Sequence, residues 1–234
     1  MIALLGFWLL LAGCGGDADP VEDLVKDLNR YPEYSLILED LREEEGFFPD
    51  YFLRFKVLSA SGQQVAGRDT VVLEERLTEE YQVSEEVYAQ YENYLGMVVA
   101  AKTAQGRQSG PGQAHPPGYQ YVDNPRYGFW DGGGLWQFYG QYMLMSQLLG
   151  GWRVNSGDYG DYSRRYDSGQ PYDGPNTNGR TPFGTGGTTE ERSRPEFFKR
   201  YKQRVGTPRF RERVQSRMGR GGPGCGSGSV RAGK

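Results

Sequence analysis

The 234-residue chain has a single histidine, His115, and only two cysteines, Cys14 and Cys225. One histidine excludes a multi-histidine zinc centre. Set in Ala114-His115-Pro116-Pro117-Gly118, with no rigid element to position it, His115 reads as a solvent-exposed loop residue and excludes a His-dependent triad. Two cysteines exclude a disulfide framework and a cysteine metal site. No apolar run reaches the ~20 residues that a bilayer-spanning helix needs. Gly132-Gly133-Gly134 lacks the spacing of either phosphate-binding glycine loop. Glycine, 35 residues in all, is sparse from Asp17 to Lys102 and dense from Gly106 to Gly187. This unevenness predicts one compact region in the first half and a long irregular remainder.

What the chain does have begins with an uncharged, mostly apolar run, Ile2 to Ala12, closed by Leu11-Ala12-Gly13-Cys14. Its length and the small residues after it fit the apolar region of a secretory signal. The tetrad resembles the lipobox of bacterial lipoproteins. That resemblance implies a diacylglycerol (palmitate-type) thioether on Cys14, cleavage just before it, and a third acyl chain on the new amino group. Each buried CH₂ contributes ~0.8 kcal/mol, and two or more chains hold where one does not. Gly15 rather than Asp after the cysteine implies, by the enterobacterial sorting rule, the outer rather than the inner membrane. With Cys14 committed to lipid, Cys225 is free or pairs between chains.

Past the signal peptide (1–13) and a lipidated tether (14–18), residues 19–104 read as a small α+β domain: a helix, a three-strand antiparallel meander and a second helix. Asp19 caps and Pro20 opens the first helix, whose inner face is Val21, Leu24, Val25 and Leu28. Strands are expected at Tyr34–Glu45, Tyr51–Ser59 and Asp69–Leu77, with turns at Phe47–Asp50 and Ser61-Gly62. Val71, Leu73 and Leu77 share part of one face of the third strand. Ser84 caps a helix carried through Lys102 by Val87, Tyr88, Tyr91, Tyr94, Leu95 and Val98.

Residues 105–131 read as a Gly/Pro/Tyr linker. Gly132 to Trp152 carries no charge. It reads as an amphipathic aromatic helix whose face of Trp136, Phe138, Tyr139, Tyr142, Met145 and Leu149 meets membrane or protein. Residues 153–188 read as disordered. Residues 189–219 read as a basic helical segment, with a capping box at Ser193 and Glu196, and 220–234 as a Gly/Ser-rich tail.

Charge is split along the chain. Residues 1–105 carry a net −12 and residues 106–234 a net +9, nearly all of the excess past Thr188. Lys199, Arg200, Lys202, Arg204, Arg209, Arg211, Arg213 and Arg217 surround Phe197, Phe198, Tyr201 and Phe210. Such a mixture suits nucleic acid or anionic lipid alike. The export signal favours lipid headgroups or another envelope polyanion, then docking on the acidic half, and argues against nucleic acid. The paired acids Glu43-Glu44-Glu45, Glu74-Glu75, Glu79-Glu80 and Glu85-Glu86 point to alternate faces, so they read as solvated charge, with weak attraction for Ca²⁺ or polyamine as the sharper reading.

Cys14, the segment Pro116 to Tyr121 with Gly128-Phe129-Trp130, the Phe138 to Tyr142 stretch and the Arg/Gly tail together resemble a group of uncharacterised bacterial envelope lipoproteins, of a kind encoded near polyamine-synthesis and envelope-stress genes. The resemblance implies a non-enzymatic envelope role and carries no catalytic motif. The expectation is therefore a lipid-anchored envelope protein that binds or organises something at the membrane surface, with an unknown protein partner, no catalytic residues, no metal and no cofactor. The alternatives are a small-molecule or cation sensor (polyamine, Ca²⁺) and a hydrolase-like enzyme using carboxylates of the acidic half.

Overall fold

The computed structural model describes residues 18–44, 46, 49–65 and 68–205, without side chains for 62–71, 204 and 205. The described residues up to Ser193 form one compact unit, and those from Arg194 a second.

The first unit is α+β, built on a five-stranded antiparallel sheet. Helix α1 (Pro20–Leu28) is capped as its sequence predicts: Asp19 accepts the Val21 amide at 2.9 Å, and Val21, Leu24 and Leu28 are buried. Strands β1 (Glu33–Glu44), β2 (Asp50–Val65) and β3 (Arg68–Val83) then form the expected meander, with Tyr34 opposite Ser59 and Tyr51 opposite Val83. Two features of it differ from expectation. Ser61 and Gly62 are paired within β2 rather than forming a turn. A bulge between Arg54 and Lys56 shifts the register, and Leu77 lies 52% exposed on the outer side instead of sharing an inner face.

The second helix is the larger correction. Ser84 accepts the Val87 amide and caps α2 (Glu85–Tyr91), but the helix stops there. Gly96 has φ +75°, a conformation glycine adopts freely and helices do not. Beyond it, Val98–Lys102 is strand β4, which pairs with β1 and, on its other edge, with β5 (Gln108–Ser109). A short run of buried apolar residues suits an inner strand as well as a helix, and the β-branched pair Val98-Val99 favours the strand. The sheet order is β3-β2-β1-β4-β5.

Both faces of this sheet are covered. Helices α1 and α2 take one face: Tyr88 meets Tyr51 at 4.9 Å, Tyr91 meets Phe55 at 6.3 Å, and the Tyr91 hydroxyl donates to Asp19 at 2.6 Å. The other face is covered by residues expected to be linker and amphipathic helix. Tyr121, Tyr127, Tyr142 and Met145 pack on Leu58 and Ala60 of β2, and Leu148 on Ile37 and Val98. This double burial is why β1 is buried continuously from Glu33 to Leu38 rather than on alternate residues.

The linker is therefore structured. His115 pairs with Val98 through both backbone groups (2.8 and 3.1 Å), and 3₁₀ turns occupy Pro111–Gln113 and Tyr119–Tyr121. The uncharged stretch is not one helix. Strands β6 (Gly128–Trp130) and β7 (Trp136–Phe138) form a hairpin, its loop closed by Asp131, which accepts the Gly133 and Leu135 amides. A Cβ on Gly128 would strike the Gln137 carbonyl and the Trp136 ring, so only glycine fits there. A 3₁₀ turn and the short α3 (Met143–Leu148) follow. Asp-Gly turn chemistry, together with Trp130 against Trp136 at 5.2 Å, outweighs the helical spacing. The segment expected to be disordered holds α4 (Ser156–Asp167), capped by Asn155 and burying Tyr162 and Tyr166. Helix α5 (Thr188–Ser193) closes the unit, and the Ser193 hydroxyl donates to the Glu190 carbonyl inside it.

The second unit contains α6 (Pro195–Val205), in which Phe197 stacks on Tyr201 at 5.7 Å and Phe198 meets Tyr201 at 6.2 Å. No helix among the described residues is long and apolar enough to cross a membrane.

Candidate functional site, a tyrosine-walled cleft

The residues singled out in sequence scatter widely. Cys14, Arg209, Arg211, Arg213 and Arg217 lie outside the described residues. Lys199, Arg200, Lys202 and Arg204 fall on α6, whose aromatic residues Phe197, Phe198 and Tyr201 cluster among themselves. In the expected membrane-facing set, Trp136, Tyr142, Met145 and Leu149 are buried and belong to the interior of the first unit, Phe138 is half-buried, and Tyr139 is exposed. The helical face that would have aligned them does not form.

The acidic runs do not converge. Glu80 sits between Arg42 and Arg54 at 2.9 and 3.0 Å, while Lys56 lies 3.4 Å from Glu39 and 3.3 Å from Glu75. These partly exposed pairs contribute little to stability. Glu33, outside these runs, is buried. The Tyr127 hydroxyl donates to it at 2.6 Å and Arg126 lies 3.8 Å away, yet burial still raises its pKa above the ordinary carboxylate range. The pair fastens the former linker to the start of β1. No cluster of three or more potential metal ligands occurs among the described residues.

His115 is buried at 1% exposure, contrary to its expected place in an open loop. Its Nδ1–H donates to the Gln113 carbonyl at 3.0 Å, and its ring lies 5.3 Å from Tyr162 and 5.9 Å from Tyr166. Burial lowers its pKa to about 4, so the ring is neutral at physiological pH.

A concavity lies beside this aromatic cluster. A cleft of about 210 Å³ runs between α4, the turn after β4 and the residues following the Tyr119–Tyr121 turn. Helix α4 presents Tyr159, Tyr162, Ser163, Tyr166 and Asp167, the i, i+3, i+4, i+7, i+8 face of a helix. Thr103, Gln105 and Arg107 come from the β4–β5 turn; Gln120, Asp123 and Asn124 complete the rim. Arg107 donates to Asp167 at 2.8 Å and lies over the Tyr166 ring, 4.8 Å from its centre. Asp123 has φ +63° and accepts the Trp130 indole N–H at 2.8 Å. Burial raises the Tyr159 hydroxyl's pKa and the Asp123 charge raises it further, whereas Ser163 and Arg107 lower it. Tyr162 is pushed up strongly by burial. Both phenols thus remain protonated donors.

Chemically the cleft is a polar, aromatic-walled binding surface. It holds two carboxylates, one guanidinium, three amides and several hydroxyls, most of them on short or immobilised side chains. None of these residues was picked from the sequence. The available signal was the spacing Tyr159, Tyr162, Tyr166 behind Asn155, a cap followed by a one-sided aromatic helix. No protein-family model, curated protein or solved structure matches the chain.

Proposed function

We propose that this chain is a lipid-anchored protein of the bacterial cell envelope, held through acylated Cys14, with the outer membrane favoured, and that its first unit binds a ligand in the tyrosine-walled cleft without transforming it. The observation that carries the anchor is the coincidence of an apolar run, small residues and cysteine in Leu11-Ala12-Gly13-Cys14. The binding role draws on a preformed concave surface whose polar groups converge from three separate segments. Anchoring confines the unit to the membrane surface, where effective concentration lets modest contacts suffice.

Helix α6 supports a further contact with anionic lipid or another envelope polyanion. Lys199, Arg200 and Lys202 share a short helix with an aromatic cluster, the composition of an interfacial segment. Arg204, Arg209, Arg211, Arg213 and Arg217 extend the same charge along the chain.

The test is fractionation of cells carrying wild type or Cys14→Ala. Wild type is expected in the membrane pellet, resistant to salt and carbonate, and labelled by radioactive palmitate. The variant is expected unlabelled and released. Recovery of the variant in the same fraction, equally resistant, refutes the anchor.

A further inference from the structure

We propose that the cleft between α4 and the β4–β5 turn binds one neutral, ring-sized, hydroxyl-rich unit of a glycan. The choice of an envelope glycan as its source rests on the envelope reading above, whereas the ligand class rests on the cleft alone. Size is the first constraint. A volume of about 210 Å³ lies below the ~300–1,000 Å³ of pockets for drug-sized ligands, which leaves room for one ring but not for an extended molecule.

Charge is the second constraint. An anionic ligand meets Asp123 and Asp167 with only Arg107 to offset them. A polyamine meets Arg107, which already takes what an ammonium would use, the Tyr166 face and the Asp167 carboxylate. Groups that accept or donate remain: the Asp123 carboxylate, the Gln105 amide and the Asn124 amide, whose oxygen takes the Arg126 N–H but whose NH₂ can still donate. The Ser163 hydroxyl pairs with Tyr159 and keeps lone pairs to accept with. Hydroxyl is the ligand group that satisfies all of these, since it donates once and accepts twice. Carboxylate and amide planes also span two neighbouring oxygens, the spacing of a vicinal diol.

The third constraint is the wall. Half-buried Tyr159 borders the space and supplies an apolar ring for the C–H face of a pyranose, while buried Tyr162 backs it 5.9 Å away, centre to centre. Preorganisation favours binding: the Trp130 indole N–H holds the Asp123 carboxylate at 2.8 Å.

The experiment uses the full-length acylated protein in a detergent without a sugar headgroup. It is titrated with cellotetraose, maltotetraose, N-acetylglucosamine tetramer and, separately, spermidine. Calorimetry and the fluorescence of Trp130, which touches Asp123, are followed. At least one saccharide is expected to bind and spermidine is not. Asp123→Asn and Tyr159→Ala each weaken the saccharide about tenfold or more with the melting temperature unchanged. Asp123 is exposed, so its variant keeps the test valid even if Tyr159→Ala unfolds. Spermidine binding without saccharide binding, no binding at all, or saccharide binding indifferent to Asp123→Asn overturns the assignment. Cys14→Ala separates the two readings: it retains saccharide binding if the cleft assignment holds, whatever becomes of the anchor.

Discussion

The two faces of the sheet are covered by different kinds of chain. On one, α1 and α2 bring capped helices whose buried residues recur with a 3.6-residue period. On the other side, residues 111–193 bring three-residue strands, 3₁₀ turns and helices, joined by tyrosines. Tyr119 meets Tyr162, Tyr172 and Phe183; Tyr127 meets Tyr121 and Tyr142. Each such ring buries ~150–250 Å², as much as an aliphatic core residue, and its hydroxyl reaches a polar partner where one exists. A layer can thus be packed without being periodic, and the cleft lies in that layer.

The comparison breaks most visibly at Tyr119, which is fully buried among three aromatic rings. Tyr119→Ala is expected to cost about 3–5 kcal/mol, the same as Phe55→Ala beneath α2. Urea unfolding followed by both tryptophan fluorescence and far-UV circular dichroism should show one transition for each variant. A cost near zero for Tyr119→Ala would make the tyrosine layer peripheral to the fold.

The next effect depends on pH. His115 is held neutral in the folded protein, its pKa lowered by burial from 6.5 to about 4. The unfolded chain therefore binds a proton that the folded chain refuses between these values, and stability falls as pH drops through that window. The loss approaches about 3 kcal/mol at its acid end. Glu33 works in the opposite sense, since its raised pKa makes the folded state take up a proton more readily on acidification. Melting curves of wild type and His115→Gln between pH 7 and 4 isolate the histidine: the variant should lose most of the slope in this window. An unchanged slope would mean that His115 is solvated.

The smallest effect sharpens the contrast from the helical side. Asp19→Ala removes the cap of α1 and the acceptor of the Tyr91 hydroxyl, and is expected to cost about 1–2 kcal/mol in a thermal melt. A loss as large as that of Tyr119→Ala would instead make the cap, rather than the buried rings, the main support of the helical face.

Legibility in the sequence divides along the same line. Asp19-Pro20, the alternation from Tyr51 to Ser59 and the Ser84 cap state local rules, and the structure follows them. The end of α2 was hidden because Tyr94, Leu95 and Val98 continue a helical period that a positive-φ glycine at Gly96 interrupts. The hairpin at Asp131 is masked because Trp136 to Leu149 also fits a helical wheel by chance of spacing. The tyrosine layer reads as linker, amphipathic helix and disorder because Gly, Pro, Asn and Asp dominate much of its composition. What holds it are pairings between residues far apart in the chain, such as Tyr127 with Glu33 and Thr185 with Glu92, which no window of sequence contains. The cleft inherits that illegibility, since its residues meet only once the layer has folded.

Amide hydrogen exchange on the full-length protein measures whether that layer is folded against the sheet. Peptides spanning 111–122 and 156–172 are expected to exchange as slowly as those spanning β1, because the His115 amide bonds Val98 and the Tyr172 amide bonds Ala114 inside one cooperative unit. Exchange of both peptides at the rate of an unstructured chain, with β1 still protected, would contradict it.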